Sequence, residues 1–159
     1  MRLGLISDTH GLLRPEALAA LQGSDRIVHA GDIGDAGILE RLAAIAPLTV
    51  VRGNNDHGPW AEALAETEWL QLEGVSICVV HDLKTLKLDR PADVVIAGHS
   101  HKPLIERRDG RLHVNPGSAG PRRFSLPVSV GELLLEDGEA RPRLIELDIA
   151  PRRPIMRPR

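Results

Sequence analysis

Seven side chains of metal-binding types follow apolar segments in this chain of 159 residues. They comprise two aspartates, one asparagine and four histidines, namely Asp8, His10, Asp32, Asn54, His81, His99 and His101. Carboxylate, amide and imidazole ligands without any thiolate suit hard to borderline divalent cations, among them Mn²⁺, Fe²⁺, Zn²⁺, Ni²⁺ and Mg²⁺. Seven ligands are too many for one such ion and fit two ions that share a carboxylate. The residue types therefore predict a site for two divalent cations.

Each of these polar residues stands close after the end of a predicted β-strand. The apolar segments that come first are residues 3–6, 27–30, 48–51, 75–80 and 94–97. Between the first three of them, residues 15–21 and 38–45 carry apolar side chains at helical spacing, which predicts two helices. Three successive strand–loop–helix units predict right-handed crossovers and a mostly parallel sheet. Because sites in such sheets form beyond the carboxyl ends of the strands, we expect the polar clusters to converge there.

The second half of the chain predicts shorter elements with turns of two residues. Predicted strands cover 104–107 and 112–115, and two hairpins cover 69–80 and 128–149, with turns at Glu73-Gly74 and Asp137-Gly138. We expect two sheets packed face to face with helices outside, in a single domain over residues 1–150. Residues 151–159 are rich in proline and arginine, and we interpret them as a frayed basic tail rather than a docking arm.

The composition excludes several classes of protein. Lysine and arginine number 20 against 22 acidic residues, so the net charge of -2 does not favour a nucleic-acid polymer or an anionic membrane as partner. The single cysteine, Cys78, excludes a disulfide framework and a multi-thiolate zinc site, and we interpret it as a buried small hydrophobe. No apolar run approaches 18 residues, and Asp8 and His10 come too early for a signal peptide. We therefore expect a cytoplasmic protein.

The order and spacing of the clusters resemble those of the calcineurin-like metallophosphoesterases, in particular their small bacterial and archaeal phosphodiesterase branch. The resembling motifs are Asp8-Thr9-His10, Gly31-Asp32, Gly53-Asn54-Asn55-Asp56, His81, Gly98-His99-Ser100-His101, Asn115-Pro116-Gly117-Ser118 and Pro121-Arg122. The resemblance runs from Leu3 to about Glu136. It implies an α/β fold, a four-layer α/β/β/α sandwich with two mixed sheets packed face to face and flanking helices. It also implies a phosphoesterase that hydrolyses small phosphate esters.

The same resemblance assigns the ligands and the mechanism. It gives one metal ion to Asp8, His10 and His101, gives the other to Asn54, His81 and His99, and makes Asp32 the bridge. Two divalent ions, Mn²⁺ first among them, lower the pKa of a shared water, and the resulting hydroxide attacks phosphorus in line. Some members of this branch form dimers or larger assemblies, so a homo-oligomer is one expectation.

One departure from the family pattern bears on the substrate. Where many members have a histidine able to protonate the leaving oxygen, this chain has Asn55, which cannot act as a general acid. Asp56, the usual partner of that histidine, is present, and we count both among the candidate catalytic residues. We therefore expect diesters with good leaving groups to be preferred over alkyl monoesters. Asn55 and Arg122 are the candidate phosphate contacts, although either Arg122 or Arg123 could serve.

Two other interpretations of the resemblance remain. Some members of this fold lose their metal ions or activity and serve as scaffolds in larger assemblies, but they usually lose ligands too. A third interpretation keeps the enzyme and changes the substrate to nucleotide polyphosphates or phosphoproteins. Outside the candidate site, His29 and His113 are interpreted as structural residues, and Asp82 is either a hydrogen-bond acceptor for a ligand histidine or a solvent-facing residue.

Overall fold

The computed structural model describes residues 1–149, and the predicted tail at 151–159 lies outside the described residues. Its ten strands form two five-stranded sheets. The first sheet contains β1 (Arg2–Ile6), β2 (Arg26–His29), β3 (Leu48–Val50), β9 (Ser129–Glu136) and β10 (Glu139–Glu146), in the order β10-β9-β1-β2-β3. The second contains β4 (Thr67–Leu72), β5 (Val75–Val80), β6 (Val94–Ile96), β7 (Leu104–Arg108) and β8 (Arg111–Asn115), in the order β4-β5-β6-β8-β7. Both sheets are mixed, which confirms the predicted fold class.

The first three strands are parallel and are connected by the two predicted helices. These helices are α1 (Pro15–Leu21) and α2 (Ala36–Ala43), and a third, α3 (Pro59–Glu62), follows β3. Pro15 stands at the start of α1, where its fixed φ suits a helix and its missing N–H is not needed. Asp35 caps α2 by accepting a hydrogen bond from the Gly37 N–H. The helices cover the outer face of the first sheet.

The main core lies between the two sheets. Alternate residues of each strand face it, as Leu3 and Leu5 of β1 and Val94 and Ile96 of β6 show, and all of these side chains are buried. The opposite face of β1 is buried as well, because Ile6 packs with the apolar residues of α1 and α2. A strand that is buried on both faces accounts for the continuous apolar run at the start of the sequence.

The outer face of the second sheet has a different cover. A short 3-10 helix (Leu83–Thr85) and the irregular segment up to residue 93 lie against it, in place of an α-helix. Cys78, Val95 and Ala97 are buried beneath this segment. Burial raises the pKa of the Cys78 thiol to about 11, so Cys78 is the inert small hydrophobe that the sequence predicts. No helix within residues 1–149 is long and apolar enough to cross a membrane.

Candidate metal centre

The loops that carry the seven predicted ligands meet at one edge of the molecule. Asp8 and His10 follow β1, Asp32 follows β2 and Asn54 follows β3, all in the first sheet. The second sheet contributes His81 after β5 and the loop 98–101 after β6. Backbone hydrogen bonds connect these loops, from the Asp8 N–H to the Gly31 carbonyl and from the Gly98 N–H to the His81 carbonyl, both at 3.0 Å. Both sheets therefore supply the site.

Asp8, His10 and His101 form the first group of ligand atoms. Oδ1 of Asp8 lies 3.4 Å from Nε2 of His101 and 3.7 Å from Nε2 of His10. The two imidazole Nε2 atoms are 3.2 Å apart. Asp8 and His101 are buried, whereas His10 keeps part of its ring in solvent.

Asn54, His81 and His99 form the second group. Oδ1 of Asn54 lies 2.9 Å from Nε2 of His81 and 3.2 Å from Nδ1 of His99, and these two ring nitrogens are 3.3 Å apart. His81 donates its Nδ1–H to the Ala30 carbonyl at 2.7 Å, so the lone pair of its Nε2 faces the group.

Asp32 lies between the two groups. Its Oδ2 is 3.7 Å from Nε2 of His10 in the first group and 3.3 Å from Nε2 of His81 in the second. Its Oδ1 accepts a hydrogen bond from the Asn55 N–H at 2.9 Å, which fixes the orientation of the carboxylate. A carboxylate in this position can face two cations at once.

The chemistry of these donors fits divalent cations. Oδ1 of Asp8 is buried and has no hydrogen-bond partner among the described residues, whereas Oδ2 accepts from the Ser7 hydroxyl and the His99 N–H. A buried carboxylate oxygen without a donor is costly unless a cation satisfies it. The imidazole, amide and carboxylate lone pairs face one another at 2.9–3.7 Å and repel unless a positive charge lies between them.

The pKa values show the negative charge held at this edge. Burial raises the pKa of Asp32, but the close contact with the His81 ring and the hydrogen bond from the Asn55 backbone outweigh burial and hold the pKa well below its usual range. The negative charge of Asp8, 3.7 Å away, is the main cause that raises the pKa of His10. Burial alone would lower the pKa of His81, yet its contacts with Asp32 and the Ala30 carbonyl raise it. Bound cations would replace the protons that these histidines otherwise attract.

Five of the seven ligand residues have a backbone in the left-handed region. Their φ angles are 54° at Asp8, 45° at His10, 57° at Asp32, 70° at His99 and 63° at His101. This region is uncommon for residues with a Cβ and costs about 1–2 kcal/mol each. The strain is concentrated where side chains from separate loops must point to one place, as is common at functional sites.

Asp56 holds the loop that carries Asp32. Its Oδ1 accepts from the N–H groups of Ile33 and Gly34 at 2.9 and 3.0 Å, and its Oδ2 accepts from those of Asp32 and Gly53 at 3.0 and 2.8 Å. Both oxygens of this buried carboxylate are thus engaged by the backbone. This arrangement makes Asp56 a positioning residue for Asp32 and gives it no contact with Asn55 through its side chain.

Gly53 is required by the close approach of this loop to Asp32. A Cβ on Gly53 would overlap the backbone nitrogen and Oδ1 of Asp32. No residue with a side chain fits this position without moving the carboxylate between the two groups.

The other candidate residues lie around this centre. Asn55 is exposed and donates a side-chain N–H to Oδ2 of Asp32 at 3.1 Å. Arg122 is a candidate phosphate contact, and in the structure its guanidinium approaches the Ile149 carbonyl at 3.4 Å. Arg123 is the arginine whose positive charge opposes protonation of both His10 and His101, although the pKa of His10 is raised overall by Asp8 and burial is the main cause that lowers the pKa of His101. Asp82 approaches Nε2 of His99 at 3.8 Å and also caps the 3-10 helix through the Lys84 N–H.

Two residues outside the seven candidate ligands support these loops through hydrogen bonds. Fully buried His29 accepts from the Gly31 N–H at Nδ1 and contacts the Thr9 hydroxyl at 3.0 Å through Nε2, which confirms it as a structural histidine. Asn115, recognised only as part of a motif, donates to the Gly98 carbonyl and to the Ser100 hydroxyl and so holds the loop after β6. Short polar residues beside a ligand are the only sequence signal for such roles.

Comparison with known proteins gives a consistent result. Residues 1–138 match the family model of the calcineurin-like phosphoesterase superfamily domain. A probable metallophosphoesterase of Methanothermobacter thermautotrophicus is 33% identical over 154 residues, which cover 87% of this chain and 88% of the relative. The phosphodiesterase YfcE of Escherichia coli K12 is 30% identical over 163 residues, covering 84% of this chain and 87% of that protein.

Solved structures show the same fold. The E. coli YfcE phosphoesterase structure aligns with a TM-score of 0.69 at 26% identity, covering 93% of this chain and 100% of that chain. Vps29 of Entamoeba histolytica, solved as a complex with Zn²⁺, aligns with a TM-score of 0.71 at 21% identity, covering 92% of this chain and 99% of that one.

Proposed function

The chain belongs to the calcineurin-like phosphoesterase superfamily, and on that premise we propose that it is a metal-dependent phosphodiesterase acting on small phosphate esters. The observation that carries this proposal is the convergence of two groups of ligand atoms on either side of Asp32. Because both sheets contribute ligands, we propose that residues 1–150 work as a single catalytic domain.

In this proposal each group of ligand atoms holds one divalent cation. Asp8, His10 and His101 hold the first, Asn54, His81 and His99 hold the second, and Asp32 faces both. Mn²⁺ is the first ion to test, with Fe²⁺, Ni²⁺, Zn²⁺ and Mg²⁺ as alternatives, because these ligands suit all of them. Such a pair of cations would act as a Lewis acid towards the phosphoryl oxygens. It would also lower the pKa of bound water, so that hydroxide is available near neutral pH.

The chain's own groups prepare the site for this chemistry. The carboxylate of Asp32 offsets part of the repulsion between two cations, while the neutral amide of Asn54 avoids adding another negative charge. The Ser7 hydroxyl and the His99 N–H occupy Oδ2 of Asp8 and leave Oδ1 for a cation. The positive charge of Arg123 favours an anionic substrate over a neutral one at this edge.

Asn55 supports the preference for diesters. Its side-chain amide lies beside Asp32 and can donate a hydrogen bond, but it has no proton to give to a leaving alkoxide. Aryl diesters, whose phenoxide leaving group departs without a proton, are therefore favoured over alkyl monoesters, and cyclic nucleotides are diesters that release a ribose oxygen and so test how far this preference extends. The YfcE relative carries the name phosphodiesterase, which agrees with this preference.

The test is a substrate panel assayed after removal of metal ions with a chelator. Bis(4-nitrophenyl) phosphate, 4-nitrophenyl phosphate, 2′,3′-cyclic AMP and 3′,5′-cyclic AMP are assayed with each cation returned singly. We expect diester hydrolysis to vanish on chelation and to return with metal, and elemental analysis to give two equivalents per chain. Asp32→Asn is expected to abolish the recovery, whereas Asp35→Asn, at an exposed helix cap, is the matched control.

Other outcomes would select another function. Binding of no divalent cation, with no hydrolysis of any ester in the panel, would favour the scaffold interpretation over an enzyme. Full activity on an alkyl monoester such as glycerol 2-phosphate, assayed beside the panel, would contradict the role given to Asn55. Activity only on nucleotide polyphosphates or a phosphoprotein would keep the metal centre and replace the substrate class.

A further inference from the structure

A cavity of about 310 Å³ lies on the outer face of the second sheet, next to the metal centre. The 3-10 helix forms one side, and the beginning of β7 forms the other. Gly98 and His99 line its inner end, so the cavity opens onto a proposed metal ligand.

The walls of the cavity are predominantly apolar. Val95 and Ala97, which face away from the main core, lie at its base, and the half-exposed side chains of Leu83 and Leu104 form its sides. His113, the cross-strand neighbour of Val95, completes the wall and is buried. The charged residues Asp82 and Lys84 contribute to the lining near the 3-10 helix.

His113 adds one polar feature to this wall. Its Nδ1 is buried and has no hydrogen-bond partner among residues 1–149. Burial, followed by the charges of Arg108 and Arg111, lowers the pKa of His113, so the ring is neutral at pH 7. A neutral imidazole beside apolar walls favours an uncharged occupant and can hydrogen-bond to a polar atom at its edge.

We infer that this cavity binds a flat, uncharged aromatic ester group of the substrate, of the size of a phenyl ring or a nucleobase, while the phosphate lies at the metal centre. The inference rests on the proposed function and names a substrate class for it. Ligand cavities span about 300–1,000 Å³, so this one suits a single ring system rather than a larger molecule. Its contact with His99 places the ring next to the phosphate of the same ester.

Two phosphonates that differ only in the ring test this inference. Phenylphosphonate and methylphosphonate present the same anionic headgroup, and calorimetry on the metal-loaded protein measures their binding without any turnover. Burial of a phenyl ring predicts that phenylphosphonate binds about tenfold to hundredfold more tightly than methylphosphonate.

Two variants on one strand locate the effect. Leu104 and Ile105 are exposed to the same extent, at 41% and 40%, but only Leu104 lines the cavity. Leu104→Gln is expected to reduce the preference for the phenyl compound by about threefold to tenfold, and Ile105→Gln is expected to leave it unchanged. Val95→Phe, which fills the cavity from its base, is expected to remove the preference altogether.

The outcomes separate the two proposals. Equal affinity for both phosphonates would overturn the ring site while the metal centre stands. The same loss in Ile105→Gln as in Leu104→Gln would overturn it too, because the effect would then not belong to the cavity. Binding of neither phosphonate, together with no metal-dependent hydrolysis, would overturn the phosphodiesterase and the ring site with it.

Discussion

Replacement of Asp56 by asparagine should show how strongly the site depends on a carboxylate whose two oxygens are both engaged by backbone N–H groups. The two carboxylate oxygens of Asp56 accept four backbone N–H groups at 2.8–3.0 Å, two on each oxygen. In Asp56→Asn one oxygen becomes an NH₂ group, which has no lone pair to offer. Two of the four N–H groups therefore lose their acceptor, whichever way the amide is turned.

The expected magnitude follows from those two hydrogen bonds. A hydrogen bond to a charged acceptor contributes about 1.5–3 kcal/mol, so the variant should lose about 3–6 kcal/mol of unfolding free energy. Since small domains have about 5–15 kcal/mol in total, this loss would leave the protein marginal. Metal affinity should fall as well, because Asp56 holds the backbone that carries Asp32 in its left-handed conformation.

Urea unfolding, followed by the fluorescence of Trp60 and Trp69, measures the change with and without chelator. The control is Asp35→Asn, which makes the same chemical change at an exposed cap with a single backbone donor, and asparagine caps a helix as well as aspartate. If the two variants differ by less than about 1 kcal/mol in chelator, the four-bond account of Asp56 is wrong.

Three further predictions concern the substrate, the loop and pH. Asn55→His is expected to raise the ratio of activity on the alkyl monoester glycerol 2-phosphate to activity on bis(4-nitrophenyl) phosphate, because imidazolium can protonate a leaving alkoxide, and an unchanged ratio would contradict this. Gly53→Ala should lower the free energy of unfolding by about 1–3 kcal/mol, because the new Cβ overlaps Asp32. The control Gly37→Ala in α2 should raise it by up to about 1 kcal/mol, because alanine favours the helix and its Cβ meets no atom closer than ordinary van der Waals contact. Equal melting temperatures of the two variants would contradict the steric argument. Burial lowers the pKa of His29 to about 4 against 6.5 in the unfolded chain, so the unfolded state binds its proton first as pH falls. The stability that His29 contributes should be complete above pH 6.5 and decline by about 3 kcal/mol towards pH 4, measured as the pH dependence of unfolding relative to His29→Gln.

The sequence predicts the fold well because its signals are local. Pro15 and the apolar spacing after it predict α1 at the residues where it is found, and the two-residue turns at Glu73-Gly74 and Asp137-Gly138 place both hairpins. The convergence of the ligand loops follows from a rule about parallel strands. Knowledge of the family pattern was needed to divide the ligands between two groups, because spacing along the chain does not reveal which loops face each other.

What could not be predicted depends on contacts between distant loops. Asp56 accepts hydrogen bonds from the N–H groups of Ile33 and Gly34, more than twenty positions away, and the local sequence does not indicate those bonds. The orientation of the loop after Gly120 places the charge of Arg123 near His10 and His101, while Arg122 approaches the Ile149 carbonyl. The cavity beside His99 exists because an irregular segment covers the second sheet, and periodicity carries no information about such segments.

The left-handed backbone at His10, His99 and His101 has a consequence for how such an enzyme could lose its chemistry over evolutionary time. Glycine adopts this conformation without a steric penalty, so each histidine changed to glycine would remove a ligand and relax the chain at once. If these histidines bind metal as we propose, such changes would abolish activity while relaxing the backbone, so selection for turnover would be needed to retain them.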